Sequence, residues 1–150
     1  MEPVHVAFTD TLQRRRLQTL QSVDEAVLRL YREFRDYGDL RNTFMLFTSD
    51  HGYHLGQFGL LKGKNMPYEF DIKVPFFIRG PGIPKHTRLW QPVLNIDIAP
   101  TIIDMAGLPA PQHMDGESFL PILRYEKSRR KRMRPAPSPP WRHSFLVERG

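Results

Sequence analysis

Apolar side chains return every three or four positions between residues 8 and 37, as Leu17, Leu20, Val23, Val27, Leu30, Tyr31 and Phe34, with charged residues between them. That period fits one face of an α-helix. Ser22, followed three residues later by Glu25, has the form of a capping box and marks a point where the helix can break. Gly38 is a natural C-terminal stop. The pattern then changes to continuous apolar runs, "NTFMLFTS" (42–49) and "VPFFIRG" (74–80), the mark of strands buried on both faces. "RLWQPVLN" (88–95) is a weaker third run. "IDIAPTIIDMAGLP" (96–109) predicts a helix with Asp97 as N-cap, Pro100 in the first turn and Gly107 at the end. Helix, buried strand, loop, strand, helix is the rhythm of an α/β domain with a largely parallel sheet.

After Leu123 the composition changes, and the charge changes with it. Residues 124–134, "RYEKSRRKRMR", hold seven Lys/Arg and one Glu, which leaves fifteen basic and fifteen acidic residues elsewhere. The net charge of +6 therefore belongs to one segment, and the rest of the chain is balanced. Arg129, Arg130, Lys131 and Arg132 are candidate contacts for an anionic partner, with a solvated linker or processing site as the alternative; no nucleic-acid partner is expected. "PAPSPP" (135–140) predicts a partly extended connection, and "WRHSFLVERG" (141–150) the start of a new strand. The 150 residues, 40% of them apolar, suffice for one core. Zero cysteines exclude disulfides, zinc-thiolate sites and thiol nucleophiles within the chain. No Asn-x-Ser/Thr sequon occurs. The N-terminus lacks the basic start and apolar core of a secretory signal, and no apolar run approaches the ~20 residues of a membrane span.

"FTSDHGYHLGQFGLLKGKN" (47–65) carries the candidate chemistry. Asp50 and His51 follow a buried strand, where ligands gather in open α/β sheets, and Gly52 lets the backbone turn sharply behind them. Asp50 as a mere turn cap is the competing reading. A carboxylate beside an imidazole suggests a divalent cation, and the pair alone leans toward zinc, since calcium and magnesium prefer oxygen. Lys62 and Lys64 are either solvated lysines or a fixed ammonium able to hold a tetrahedral oxyanion. His54 is placed to line the pocket or orient a neighbour. His5, His86, His113 and His143 have no motif around them and read as surface residues.

"NTFMLFTSDHGYHLGQFGLLKGKNMPYEFDIKVPFFIRGPGIP", then "VLNIDIAPTIIDMAGLP", "MDGESFLPIL" and "WRHSFLVERG" together resemble the sulfatase family, and most closely the extracellular heparan sulfate 6-O-endosulfatases, the Sulf proteins. The resemblance runs in order over essentially the whole chain. It implies an alkaline-phosphatase-like α/β fold, one calcium ion, and a formylglycine made from a cysteine, whose hydrate attacks the sulfur of a sulfate ester. By motif, Asp50 and His51 correspond to the family's second pair of calcium ligands. Many sulfatases have Asn at the second place, and His51 is a variant that the Sulf proteins share. Lys64 corresponds to the lysine that contacts sulfate and aids the leaving group, because "KNMPYEFDIKVP" keeps the family's distance from that lysine to Val-Pro. His54 is carried as a substrate-pocket residue.

The family's Cys-x-Pro-Ser-Arg motif and first pair of acidic calcium ligands have no match here. The resemblance thus implies the C-terminal part of a catalytic domain over residues 1–124, a basic and Pro-rich linker over 125–141, and the start of a C-terminal subdomain over 142–150. Such a chain is expected to be inactive alone. The implied function is hydrolysis of 6-O-sulfate on N-acetyl- or N-sulfoglucosamine of heparan sulfate, outside the cell or at its surface after passage through the ER and Golgi lumen. The alternatives are a zinc phosphodiesterase or phosphatase of the same superfold, with a Ser/Thr nucleophile, and an inactive glycan-binding truncation.

Overall fold

A computed structural model describes residues 2–129 and 138–148. The chain forms two compact units, Met1–Pro81 with Val147–Gly150, and Gly82–Leu146.

In the first unit, helix α1 spans Pro3–Asp36 without a break at Ser22. The Gln, Leu, Glu, Arg and Ala residues around that point are good helix formers, and they carry the helix past a single Ser-Val step. Tyr37 is its C-cap, donating to the Glu33 carbonyl, and Gly38 follows at φ 80°, the left-handed conformation that ends helices. A 3-10 turn, Asp39–Asn42, leads into strand β1, Met45–Phe47. Strand β2 is Phe77–Arg79. Both are three residues long, shorter than the apolar runs that contain them, and neither holds a buried residue, Phe77 being 67% exposed, which corrects the expectation of strands buried on both faces.

The two strands pair antiparallel, with Met45 opposite Arg79, Leu46 opposite Ile78 and Phe47 opposite Phe77. This corrects the expectation of parallel neighbours. Parallel pairing requires a crossover, usually a helix of its own, and the connection between β1 and β2 contains only a 3-10 turn at Gln57–Gly59 and the four-residue helix α2, Glu69–Ile72. The Phe47 and Phe77 rings lie 6.3 Å apart across the register. Arg79 reaches back to the Leu40 carbonyl at 3.3 Å and sits over the Tyr31 ring at 5.6 Å, which ties the ladder to the end of α1.

In the second unit, a 3-10 turn at Asn95–Asp97 runs into helix α3, Ile98–Met105, with Pro100 in its first turn; helix α4 is Leu120–Arg129. Phe119, Leu120, Ile122 and Leu123 are buried and form the apolar core. Thr101 Oγ1 donates to the Asp97 carbonyl at 2.6 Å and accepts from the Phe119 N–H at 3.1 Å, which fixes the start of α4 on α3. Asp97 occupies the predicted N-cap position, but its side chain does not cap α3. Its carboxylate accepts instead from the N–H groups of Leu94 (2.8 Å) and Glu117 (2.9 Å) and from the Arg142 guanidinium (2.9 Å). With two backbone donors and a guanidinium within reach, it is better satisfied there than by its own helix.

Residues 88–95 form no strand; Pro92 lies within them and Trp90 is exposed. Residues 141–148 form none either, and are held by side chains, Trp141 donating to the Pro92 carbonyl at 2.8 Å and Arg142 bonding to Asp97. Helix α4 runs past Leu123 to Arg129; Arg130, Lys131 and Arg132 lie outside the described residues.

Candidate functional site

Residues 48–54 leave the end of β1 and turn back through two backbone bonds, from Gly52 N–H to the Asp71 carbonyl (2.7 Å) and from Tyr53 N–H to the Phe70 carbonyl (3.1 Å). A Cβ at position 52 would lie 2.0 Å from the Phe70 oxygen, so only glycine permits this approach. The turn brings Asp50 and His51 out together at the strand end. Asp50 Oδ1 accepts the His51 N–H at 2.9 Å, and that bond holds the carboxyl below its ordinary pKa. The Asp50 side chain is 82% exposed.

The His51 ring has a defined tautomer. Nδ1 lies 2.7 Å from the Gly52 carbonyl, which can only accept, so Nδ1 carries the proton and Nε2 presents a lone pair. Lys64 Nζ donates to that lone pair at 3.0 Å. Asp50 Oδ2 is 3.4 Å from the same nitrogen. Asp50 Oδ2 and Lys64 Nζ thus converge on the same ring nitrogen.

One carboxylate oxygen and one imidazole lone pair at this spacing suit a divalent cation, and an Nδ1–H bonded to a carbonyl is the usual orienting contact of a metal-ligating histidine. Two donors do not complete a coordination shell. Among the described residues no cluster of three or more His, Cys, Asp or Glu could hold a metal ion. A cation at the Nε2 lone pair would also have to displace the Lys64 ammonium.

The two lysines part company. Lys64 meets His51, whereas Lys62 Nζ lies over the Phe8 ring of α1 at 5.8 Å. His54 is also separated from this group. Its ring is 3% exposed and its Nδ1 lies 2.9 and 3.1 Å from the two carboxylate oxygens of Asp71, itself 3% exposed. Burial alone would raise the Asp71 carboxyl, but the Met66 N–H at 2.9 Å and the His54 ring bonded to it hold it below its ordinary pKa. Phe70 packs edge-on to His54 at 5.8 Å. Asp71 escaped sequence reasoning. It is seventeen residues from His54, and its only signal was an acid within the aromatic "YEFD".

Residues 7–108 match the model of the Sulfatase family. The whole chain is 57% identical to an extracellular sulfatase Sulf-1 homolog of Caenorhabditis elegans, of which it covers 21%, and 95% of it is 46% identical to N-acetylglucosamine-6-sulfatase of Capra hircus, of which it covers 24%. The chain thus spans about a quarter or less of the length of these relatives. Among solved structures, BT4656 in complex with its substrate, D-glucosamine-2-N,6-O-disulfate, superposes with a TM-score of 0.69 at 36% identity, over 72% of this chain and 22% of that one. The fold is therefore part of the alkaline-phosphatase-like α/β fold of sulfatases.

Proposed function

Because this chain belongs to the sulfatase family, we propose that it supplies one half of the active site of a sulfuric ester hydrolase. The substrate proposed is the 6-O-sulfate of N-acetyl- or N-sulfoglucosamine in heparan sulfate. The observation that carries the reading is the convergence of Asp50, His51 and Lys64 on one point beyond the end of β1. Support for the substrate comes from relatives named for extracellular sulfatase and N-acetylglucosamine-6-sulfatase activity, and from the 6-O-sulfated glucosamine bound by BT4656.

In this reading Lys64 directs its ammonium at the sulfate and stabilises negative charge on the departing sugar oxygen. His51 Nε2 and the Asp50 carboxylate would hold a calcium ion together with ligands not supplied by these residues. When bound, calcium supplies positive charge that orients the sulfate group. Lys64 would have to leave Nε2 for His51 to serve as a ligand, and its ammonium would then be available to the substrate. The nucleophile, a formylglycine, is assigned to a segment outside this chain, which has no cysteine. His54 acts on the pocket from behind, and Arg129, Arg130, Lys131 and Arg132 contact the glycan. The site of action proposed is outside the cell, after transit through the ER and Golgi.

The test is to assay the complete enzyme carrying this chain, with calcium, on D-glucosamine-2-N,6-O-disulfate and on an aryl phosphate diester. Release of 6-O-sulfate that is abolished by mutating an upstream Cys-x-Pro-Ser-Arg cysteine is the expected result. Zinc-dependent phosphate turnover by an upstream Ser or Thr would instead assign the chain to the phosphodiesterases and phosphatases of this superfold.

A further inference from the structure

We propose that the buried pair His54–Asp71 is a positioning device that sets the distance between Lys64 and His51. The inference rests on the reading of Lys64 as the sulfate-side cation. The two residues that meet at the site come from separate segments, 50–54 and 63–66, and each needs an anchor. His54 pairs with Gly63 through two backbone bonds, His54 N–H to the Gly63 carbonyl at 2.9 Å and the reverse at 3.1 Å, immediately before Lys64. Asp71 then binds both segments. Its Oδ2 accepts the Met66 N–H at 2.9 Å, two residues after Lys64, while its backbone carbonyl accepts the Gly52 N–H at 2.7 Å, one residue after His51.

His54 Nδ1–H closes the arrangement by donating to the same carboxylate. The opposite edge of the ring lies against Gly63, where an added Cβ would be 3.0 Å from Nε2. The imidazole therefore works as a spacer between Asp71 and the lysine-bearing segment. It is buried, it reaches neither Asp50 nor Lys64 among its described hydrogen bonds, and it acts on them through backbone. A displacement of about 1 Å in a charged group at a reaction centre costs up to ~100-fold in rate. Loss of the spacer should accordingly fall on kcat.

The experiment uses the complete enzyme with His54→Leu, Asp71→Asn and His54→Asn. Leu fills the space without donating. Asn at position 71 offers an amide in place of the carboxylate that His54 donates to, whereas Asn at position 54 restores an N–H near the position of Nδ1. For His54→Leu and Asp71→Asn, kcat on the 6-O-sulfated disulfate should fall ~10- to 100-fold with KM changed less than about threefold, and His54→Asn should recover most of it. Amide exchange of peptides covering 60–67 should accelerate about tenfold while those from α1 stay unchanged. A rise in KM at constant kcat would make His54 a substrate contact and overturn the proposal, as would unchanged exchange over 60–67 or kcat within about twofold of wild type. If the wild-type enzyme released no sulfate, the functional reading would fall, and the exchange measurement would still decide whether the pair holds the two segments together.

Discussion

Lys64 donates to His51 Nε2 across 3.0 Å, a side-chain contact between the loop after β1 and a residue thirteen positions further along. A cation that took the same lone pair would compete with the ammonium, so Lys64 and a metal ion cannot hold it together.

Asp50→Ala removes a carboxylate from a set of two donors. In the complete enzyme it should lower calcium affinity and turnover, with a loss that partly recovers at high calcium. Initial rates across a calcium titration measure this. Normal activity at limiting calcium would remove Asp50 from the metal site.

Asp97 is fully buried and bonded to Arg142 and two backbone N–H groups. Burial alone would raise its carboxyl, but these partners, Arg142 foremost, hold it below the ordinary value. A depressed folded pKa gives stability that is complete above the unfolded carboxyl pKa, about 4, and that disappears as the pH falls through the folded value. Unfolding of the complete enzyme should show Asp97→Ala destabilised by about 3–5 kcal/mol at neutral pH, because Arg142 and both N–H groups lose their acceptor. The gap between wild type and Asp97→Asn should narrow as the pH drops below about 4. Denaturant titrations at pH 7 and pH 3.5 test both statements.

Replacing Arg129, Arg130, Lys131 and Arg132 by Ser should lower the salt at which the complete enzyme leaves immobilised heparin, and leave hydrolysis of a small aryl sulfate unchanged. Elution at unchanged salt would exclude the segment as a glycan contact.

Residues 1–150 expressed alone should release no sulfate from an aryl sulfate, even with calcium, because no formylglycine can be made in a chain without cysteine. Turnover above a heat-treated control and abolished by Lys64→Ala would show a complete site within these residues.

The sequence made α1 and α3 legible because each depends mainly on local period and on glycine stops such as Gly38 and Gly107. It located β1 and β2 within their apolar runs but neither their direction nor their burial, since a run records apolar character and not what lies beside or over it. Asp50, His51 and Lys64 were legible through motif spacing. The His54–Asp71 pair was not, because nothing local in "YEFD" indicates that its acid turns inward to meet a ring seventeen residues earlier. Asp97 was readable as a helix start but not as the acceptor for Arg142, forty-five residues on. Long-range polar pairing leaves no periodic trace, and these pairs carry most of what the sequence did not disclose.

The most direct test of the central claim compares Lys64→Ala with Lys62→Ala in the complete enzyme, measuring kcat/KM for release of 6-O-sulfate from D-glucosamine-2-N,6-O-disulfate. Lys64 meets the candidate metal ligand and Lys62 lies over Phe8, so Lys64→Ala should raise the barrier by about 2–4 kcal/mol while Lys62→Ala stays within about threefold of wild type. Equal and small effects for the two lysines would contradict the assignment of Lys64 to the reaction.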